Sequence, residues 1–293
     1  MPSTQIQWFP GHMAKTRRLI TECLPYVDIV IEMRDARVPI SSKNPEIRRL
    51  CGKKPMLTVF AKGDLSDPAQ NEAWRRVFEN NGKSCLFIDC KSGAGINKLA
   101  PSVGEILAEK TSKYSDKGMS GRTLKAMVVG IPNVGKSSLI NRLSGAAKAK
   151  AEDRPGVTTS KQWVTTKIGI DLLDMPGVLW PKFDDERTGE NLAAIKAIKD
   201  DILDTERIAT ALCSRLRELY PEKLSERYKL GDMSRYSALE DWELVEEIGR
   251  KRGFLVSGGE VDYERTCNML LAEFRAGSIG RITLEAAYDE ADI

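Results

Sequence analysis

The sequence predicts an α/β fold with a mostly parallel sheet, followed by an all-α segment. Three observations carry this reading. Short apolar, β-rich runs alternate with helical patterns over residues 1–180. One such run feeds Gly130-Ile131-Pro132-Asn133-Val134-Gly135-Lys136-Ser137, a complete G-x-x-x-x-G-K-S loop, and a helical pattern follows it. Over residues 181–293 the apolar residues recur only at helical spacing.

The elements follow in order. After an irregular start at Trp8-Phe9-Pro10-Gly11-His12, a helix is expected from Met13 to about Leu24. Val27–Met33 reads as a buried strand, Asn44–Cys51 as a short helix and Pro55–Phe60 as a second buried strand. Asp67–Asn81 is expected to be helical, with Trp74, Val77 and Phe78 as its apolar face, and Cys85–Ile88 is a third strand. Residues 108–123 are polar and small and read as a linker. Leu124–Val129 is the strand before the glycine-rich loop, and Ser137–Leu143 begins the helix after it. Residues 145–160 read as a mobile loop, and Trp163–Ile168 with Ile170–Leu173 as a hairpin. In the second domain Leu192, Ile195, Ile198 and Ile202 keep helical spacing. So do Ile208, Leu212, Leu216 and Leu219, then Leu239, Trp242, Val245 and Ile248. A last helix is expected from about Val261 to Ala276, closed by Gly277.

The chain has 293 residues, 41% hydrophobic and 30% charged, enough for two globular domains. No apolar run approaches the roughly 18 residues of a membrane span, and the N-terminus reads as neither a signal nor a transit peptide. A cytoplasmic location without a membrane partner is therefore expected. The six cysteines form no C-x-x-C pair and there is one histidine, which argues against zinc. A net charge of +3 is too mild to signal nucleic acid, so local basic clusters matter more.

Glycines in the G-x-x-x-x-G-K-S loop let backbone N–H groups and a helix N-terminus approach an anion closely. Asn133, Val134, Gly135, Lys136, Ser137 and Ser138 are the candidate phosphate contacts, with Lys136 on the β- and γ-phosphates and Ser137 on Mg²⁺. About forty residues on, Asp174-Met175-Pro176-Gly177 ends a strand. There the Asp174 carboxylate is expected to hold Mg²⁺ through its bound waters, and the Gly177 N–H to meet the γ-phosphate. Between them, in Arg154–Thr159, a switch threonine that coordinates Mg²⁺ is expected at Thr158, with Thr159 as the alternative.

Ala61-Lys62-Gly63-Asp64 ends a buried strand as an N-K-x-D guanine clamp does, with Ala61 in place of Asn. The Asp64 carboxylate can accept from the two N–H donors of guanine, which adenine lacks, and the Lys62 stem can cover the base. Losing the amide at position 61 is expected to weaken affinity through a lost hydrogen bond to the base. Asp89-Cys90-Lys91-Ser92-Gly93 follows the next strand as a base-supporting loop, offering a backbone N–H near Cys90 or Lys91 to the guanine oxygen. Ile198-Lys199-Asp200-Asp201 also fits x-K-x-D, but within a helical pattern. The base motif thus precedes the phosphate loop by about seventy residues, the reverse of the usual order.

This order resembles the circularly permuted GTPases. Trp8–Lys15, Asp35-Ala36-Arg37-Val38-Pro39, Gly130–Ser138, Arg154–Thr159, Asp174–Pro181 and the end of the helical segment at Gly280–Glu285 resemble the ribosome biogenesis GTPase A family. The resemblance implies GTP hydrolysis, with GTP/GDP and Mg²⁺ bound, coupled to late assembly of the large ribosomal subunit. Partners would be its rRNA and ribosomal proteins, met by a monomer. The position after D-x-x-G that often holds a water-orienting Gln is Val178, so the resemblance assigns catalysis to His12. It also suggests K⁺ beside the phosphates, with the Asn133 amide oxygen as ligand. Lys15, Arg17 and Arg18, and then Arg250-Lys251-Arg252, are the candidate rRNA clusters. Asp35 and Arg37 read as a structural ion pair bracing the N-terminal segment. Two other readings stand beside this one. The first is a nucleotide-switched module for another partner, with hydrolysis as a timer. The second is an ATPase.

Overall fold

The computed structural model describes residues 11–116, 123–144, 162–180, 183, 185–199 and 204–288, without the side chains of 11–13, 113–116 and 162. Among the described residues, Phe183–Leu284 form one compact unit, and residues 11–180 with the segment from Glu285 form the other, which bears the sheet.

The sheet unit begins with α1 (Gly11–Cys23), then β1 (Ile29–Asp35), α2 (Pro45–Cys51), β2 (Met56–Ala61), α3 (Pro68–Asn80) and β3 (Cys85–Phe87). It continues through α4 (Leu99–Ile106), α5 (Ala108–Asp116), β4 (Leu124–Gly130), α6 (Lys136–Ser144), β5 (Gln162–Thr165) and β6 (Ile170–Asp174). The six strands lie in the order β3-β2-β1-β4-β6-β5. All neighbours pair in parallel except β5 against β6. β1 is buried along its whole length, as a central parallel strand covered on both faces must be. Residues two apart share a face, so Met127 and Val129 of β4 join Leu173 and Met175 around the end of β6 in one apolar cluster. Ile20 and Cys23 of α1 and Ile47 of α2 cover that cluster. Trp74, Val77 and Phe78 of α3, the expected apolar face, pack with Phe60 and Ala36 in a second. Each such large apolar side chain contributes about 1.5–3 kcal/mol by leaving water.

Caps set several boundaries. Asn44 accepts from the Glu46 N–H with Pro45 at the first helical position of α2, and Asp67 accepts from Ala69 at the start of α3. Two expectations fail. The 108–123 stretch is not a linker throughout, because Ala108–Asp116 is helical. Lys110 holds that helix to the Asp28 carboxylate at 2.7 Å, and Thr111 donates back to the Leu107 carbonyl. Residues 117–122 and the expected mobile loop at 145–160 lie outside the described residues.

The helical unit contains α7 (Glu186–Ala194), α8 (Thr205–Leu219), α9 (Pro221–Tyr228), α10 (Asp241–Arg252) and α11 (Tyr263–Ala276). The second failure is the 192–202 periodicity, which is not one helix. α7 stops at Ala194, and Lys196 has a left-handed φ of 63°. Arg275 accounts for the stop by donating to the carbonyls of Ala193 and Ala194. Lys199 is therefore outside any helix, and Asp200 and Asp201 lie outside the described residues. α11 ends where expected, with Gly277 at φ 77°. Glu273 of α11 ties three helices together, accepting from Arg227 and Tyr228 of α9 and Arg252 of α10.

The segment from Glu285 packs back on the sheet unit. The Glu285 carboxylate accepts from the N–H groups of Ile40 (2.6 Å) and Ser41 (3.1 Å) and from the Ser41 hydroxyl. Its carbonyl accepts from Trp74 Nε1 at 3.0 Å, and Ala287 N–H donates to Gln70.

Candidate functional site

Five loops leave the C-terminal ends of the parallel strands and share one edge of the sheet. They are Asp35-Ala36-Arg37 after β1, Lys62-Gly63-Asp64 after β2, Asp89–Gly93 after β3, Ile131–Gly135 after β4 and Met175-Pro176-Gly177 after β6. Ligands of open α/β sheets bind at this edge, where successive connections run in opposite directions from neighbouring strands. Here that point lies between β1 and β4.

On the phosphate side, α6 begins at Lys136, with Ser137 and Ser138 in its first turn. Lys136 Nζ is folded onto its own loop and donates to the carbonyls of Gly130 (3.1 Å) and Ile131 (2.8 Å). Burial lowers the Lys136 pKa to about 8 against the opposing pull of Asp174. Burial likewise raises the Asp174 pKa, and Lys136 opposes it. Asp174 Oδ1 is buried without a hydrogen-bond partner among the described residues. That orphaned carboxylate oxygen and the Ser137 hydroxyl in the first turn of α6 are both oxygen donors, the ligand type a hard cation such as Mg²⁺ takes. Gly177 approaches the loop so closely that an added Cβ would meet Pro132 Cα at 2.8 Å and Pro132 N at 2.9 Å. Val178 N–H donates to the Gly130 carbonyl at 3.1 Å, and its own carbonyl accepts from Asn44 Nδ2 at 3.0 Å. The Val178 side chain is buried in the apolar cluster and is unable to orient water. Asn133 has a left-handed φ of 56°.

On the base side, Lys62 has φ 59°, and its Nζ lies 2.9 Å from Asp35 Oδ2. Asp35 also holds Arg37 through Nε (2.9 Å) and Nη2 (2.8 Å), so this acid joins the base motif to the turn after β1, while the N-terminal segment it was expected to brace lies outside the described residues. The Ala61 side chain is buried, and a Cβ built on Gly135 would lie 3.7 Å from its Cβ. Position 61 therefore faces the phosphate loop. The Asp64 carboxylate is half-buried without a hydrogen-bond partner among the described residues. In the next turn, Asp89 accepts from the N–H groups of Lys91 (2.7 Å) and Ser92 (2.9 Å). That uses the Lys91 N–H and leaves the Cys90 N–H as the turn's open donor among the described residues. Burial, then the Asp89 carboxylate, push the Cys90 thiol up to about 11, so it stays protonated at neutral pH.

His12 lies in the first turn of α1 with its side chain outside the described residues, as are Trp8, Phe9, Thr158 and Thr159. Of the basic clusters, Lys15 is exposed, Arg17 pairs with Glu46 and Arg18 with Glu22. Arg250 and Lys251 pair with Glu246 and Glu247 on the same helix, and Arg252 with Glu273. The exposed pairs among these, Arg18–Glu22 and those of Arg250 and Lys251, are worth about 0–1 kcal/mol and exchange readily for other anions, whereas Arg17–Glu46 and Arg252–Glu273 are part-buried. Sequence reasoning missed Asn44 and Arg142, single polar residues without a motif around them, and the contacts of Glu285, which it placed only at the end of the Gly280–Glu285 motif.

Chain order and sheet order differ by a rotation. The phosphate-loop strand is fourth in the chain, while the base-motif strands come before it and still complete the same sheet. The domain is a circularly permuted P-loop GTPase domain. Residues 125–224 match the family described as 50S ribosome-binding GTPase, which begins at β4 and leaves β1–β3 upstream. The ribosome biogenesis GTPase A of Bacillus licheniformis is 45% identical over 284 residues, covering 97% of this chain and 99% of that one. Mitochondrial ribosome-associated GTPase 1 of Mus musculus is 33% identical, covering 95% and 90%. The solved structure of GNP-bound YlqF from T. maritima shares the fold, with TM-score 0.62 at 24% identity over 94% of this chain and 99% of that chain. The chain belongs to the ribosome biogenesis GTPase A family.

Proposed function

We propose that this GTPase docks on the immature large ribosomal subunit in the cytoplasm, as a monomer, and promotes its late maturation. In this reading GTP favours docking, and contact with the particle stimulates hydrolysis. The reading rests on family membership, and the convergence of phosphate and base motifs on one sheet edge carries it. Asn133, Val134, Gly135, Lys136 and Ser138 cradle the phosphates, and the Gly177 N–H meets the γ-phosphate. Lys62, Gly63 and Asp64 hold guanine, and the Asp89–Lys91 turn presents the Cys90 N–H to its oxygen. Mg²⁺, held by Ser137 and Thr158 or Thr159 with Asp174 behind its waters, would neutralise phosphate charge. Lys15, Arg18, Arg250 and Lys251 are the exposed cations available to rRNA.

Co-sedimentation with immature large subunits tests the docking. More protein should pellet with a non-hydrolysable GTP analogue than with GDP. Equal pelleting, or a preference for small subunits, would sink the proposal. Nucleotide-dependent capture of a different partner would favour the second reading, a switch with hydrolysis as a timer.

The burial of Val178 supports a water-orienting role for His12. Particle-stimulated turnover should fall in His12→Ala, and wild-type turnover in that variant would remove the role. Asn133 is assigned as a K⁺ ligand, so turnover should be faster in K⁺ than in Na⁺, and equal rates would refute it.

A further inference from the structure

The guanine-side turn is held from the phosphate side by one arginine. Arg142 sits on α6, the helix that Lys136 and Ser137 begin. Its guanidinium donates to three consecutive carbonyls, those of Cys90 (3.4 Å), Lys91 (2.8 Å) and Ser92 (2.6 Å). An exposed arginine ordinarily pairs with a carboxylate or water, and a fork closing on three backbone carbonyls fixes peptide planes instead. Asp89 fixes the opposite side of the same turn, taking the N–H groups of Lys91 and Ser92, while Gly93 N–H donates to the Asp89 carbonyl. With both sides tied, the Cys90 N–H remains to face a ligand. Gly93, at φ 93°, leaves room for the arginine, because a Cβ there would stand 2.2 Å from Arg142 Nη2.

We propose that Arg142 is a positioning residue for guanine recognition. From the phosphate-loop helix it sets the Asp89–Gly93 turn, so that the Cys90 N–H points at the guanine oxygen. The proposal rests on the reading of that turn as the base-supporting loop. Base and phosphate contacts are then not independent, because one rigid helix carries Lys136 at its start and holds the base turn near its end.

The test compares GDP, ADP and 6-thio-GDP, whose sulfur is a poor acceptor at the position of the guanine oxygen. Wild type should prefer GDP to both. Arg142→Ala should weaken GDP by about tenfold, the scale of one lost hydrogen bond, and leave 6-thio-GDP nearly unchanged. The ratio of the two affinities should therefore collapse toward one. Arg142→Lys, which keeps a cation but loses the fork, should fall between. An unchanged ratio in Arg142→Ala overturns the proposal. So does an equal loss for all three nucleotides, since that marks a damaged phosphate loop. If wild type fails to prefer GDP to ADP, the guanine reading itself falls. If Arg142→Ala does not fold, the ratio in Arg142→Lys decides, and a wild-type ratio there overturns the proposal.

Discussion

Replacing Gly177 with alanine is expected to cut GTP turnover on the order of 100-fold, the cost of displacing a reacting group by about 1 Å. The new methyl would meet Pro132 Cα at 2.8 Å and Pro132 N at 2.9 Å, and both are backbone atoms of the phosphate loop. No rotamer relieves that contact, so one loop must move. The Asp174–Gly177 turn is the softer of the two. Beyond its strand it is held to the loop by the Val178 N–H on the Gly130 carbonyl and to α2 by Asn44 on the Val178 carbonyl. The base motif lies after other strands and Lys136 is held by the carbonyls of Gly130 and Ile131, so GDP affinity should stay within about threefold, near the size of one weak contact. Single-turnover hydrolysis beside GDP binding separates the two quantities. Turnover within about threefold of wild type would mean that the approach of Gly177 to Pro132 does not matter for chemistry.

Why these loops meet was largely legible in the sequence. Buried parallel strands read as apolar runs, and each functional motif began where such a run stopped, as after Phe60, Ile88 and Val129. What the motifs touch was less legible. Ala61 read as a lost bond to guanine, and its nearness to Gly135 went unread, because that relation is set by the β1–β2–β4 neighbourhood that no local spacing encodes. The turn over 89–93 left the Cys90 and Lys91 N–H groups as equals until the Asp89 carboxylate proved to occupy the second. Residues 108–116 read as linker because of their polarity, while the tertiary contact that holds this helix to the sheet unit, Lys110 with Asp28, joins residues far apart in the chain. The Glu285 side chain was invisible for the same reason, since its partners Ile40 and Ser41 lie 245 and 244 residues away.

Glu285 and Asn44 also change how a nucleotide signal can travel. Glu285 caps the 40–41 backbone, and the same loop leads to Asn44, whose amide holds the carbonyl just beyond Gly177. A segment that follows the helical unit in the chain is thus linked to the turn after β6 by two sets of hydrogen bonds, joined through residues 41–44.

The largest stability effect is expected at Asp35. Asp35→Asn should destabilise the protein by about 3–5 kcal/mol, the cost of removing one partner from a buried ion pair. Asp35 is fully buried and Arg37 is 2% exposed, and Lys62 shares the same carboxylate. Burial works to raise the Asp35 pKa, but Arg37 and Lys62 more than reverse it, so the group stays ionised far below the usual carboxylate range. A depressed folded-state pKa contributes stability above the unfolded value and loses it as pH falls toward the folded one. Asparagine keeps the shape and removes that contribution at every pH above about 4, the range in which an unfolded aspartate is ionised. Urea unfolding at neutral and acid pH should therefore show a gap between wild type and variant that narrows as pH drops. Removing the Arg37 cation as well, in Asp35→Asn with Arg37→Met, should recover part of the stability, because the more deeply buried of the two cations left without a counter-charge is then gone and only Lys62 remains. Guanine affinity should not recover with it, since Lys62 still lacks the carboxylate that fixes its ammonium beside the base site. A double variant as unstable as the single one would show that the ion pair is not the source of the loss. A double variant with wild-type GDP affinity would show that Asp35 does not set Lys62.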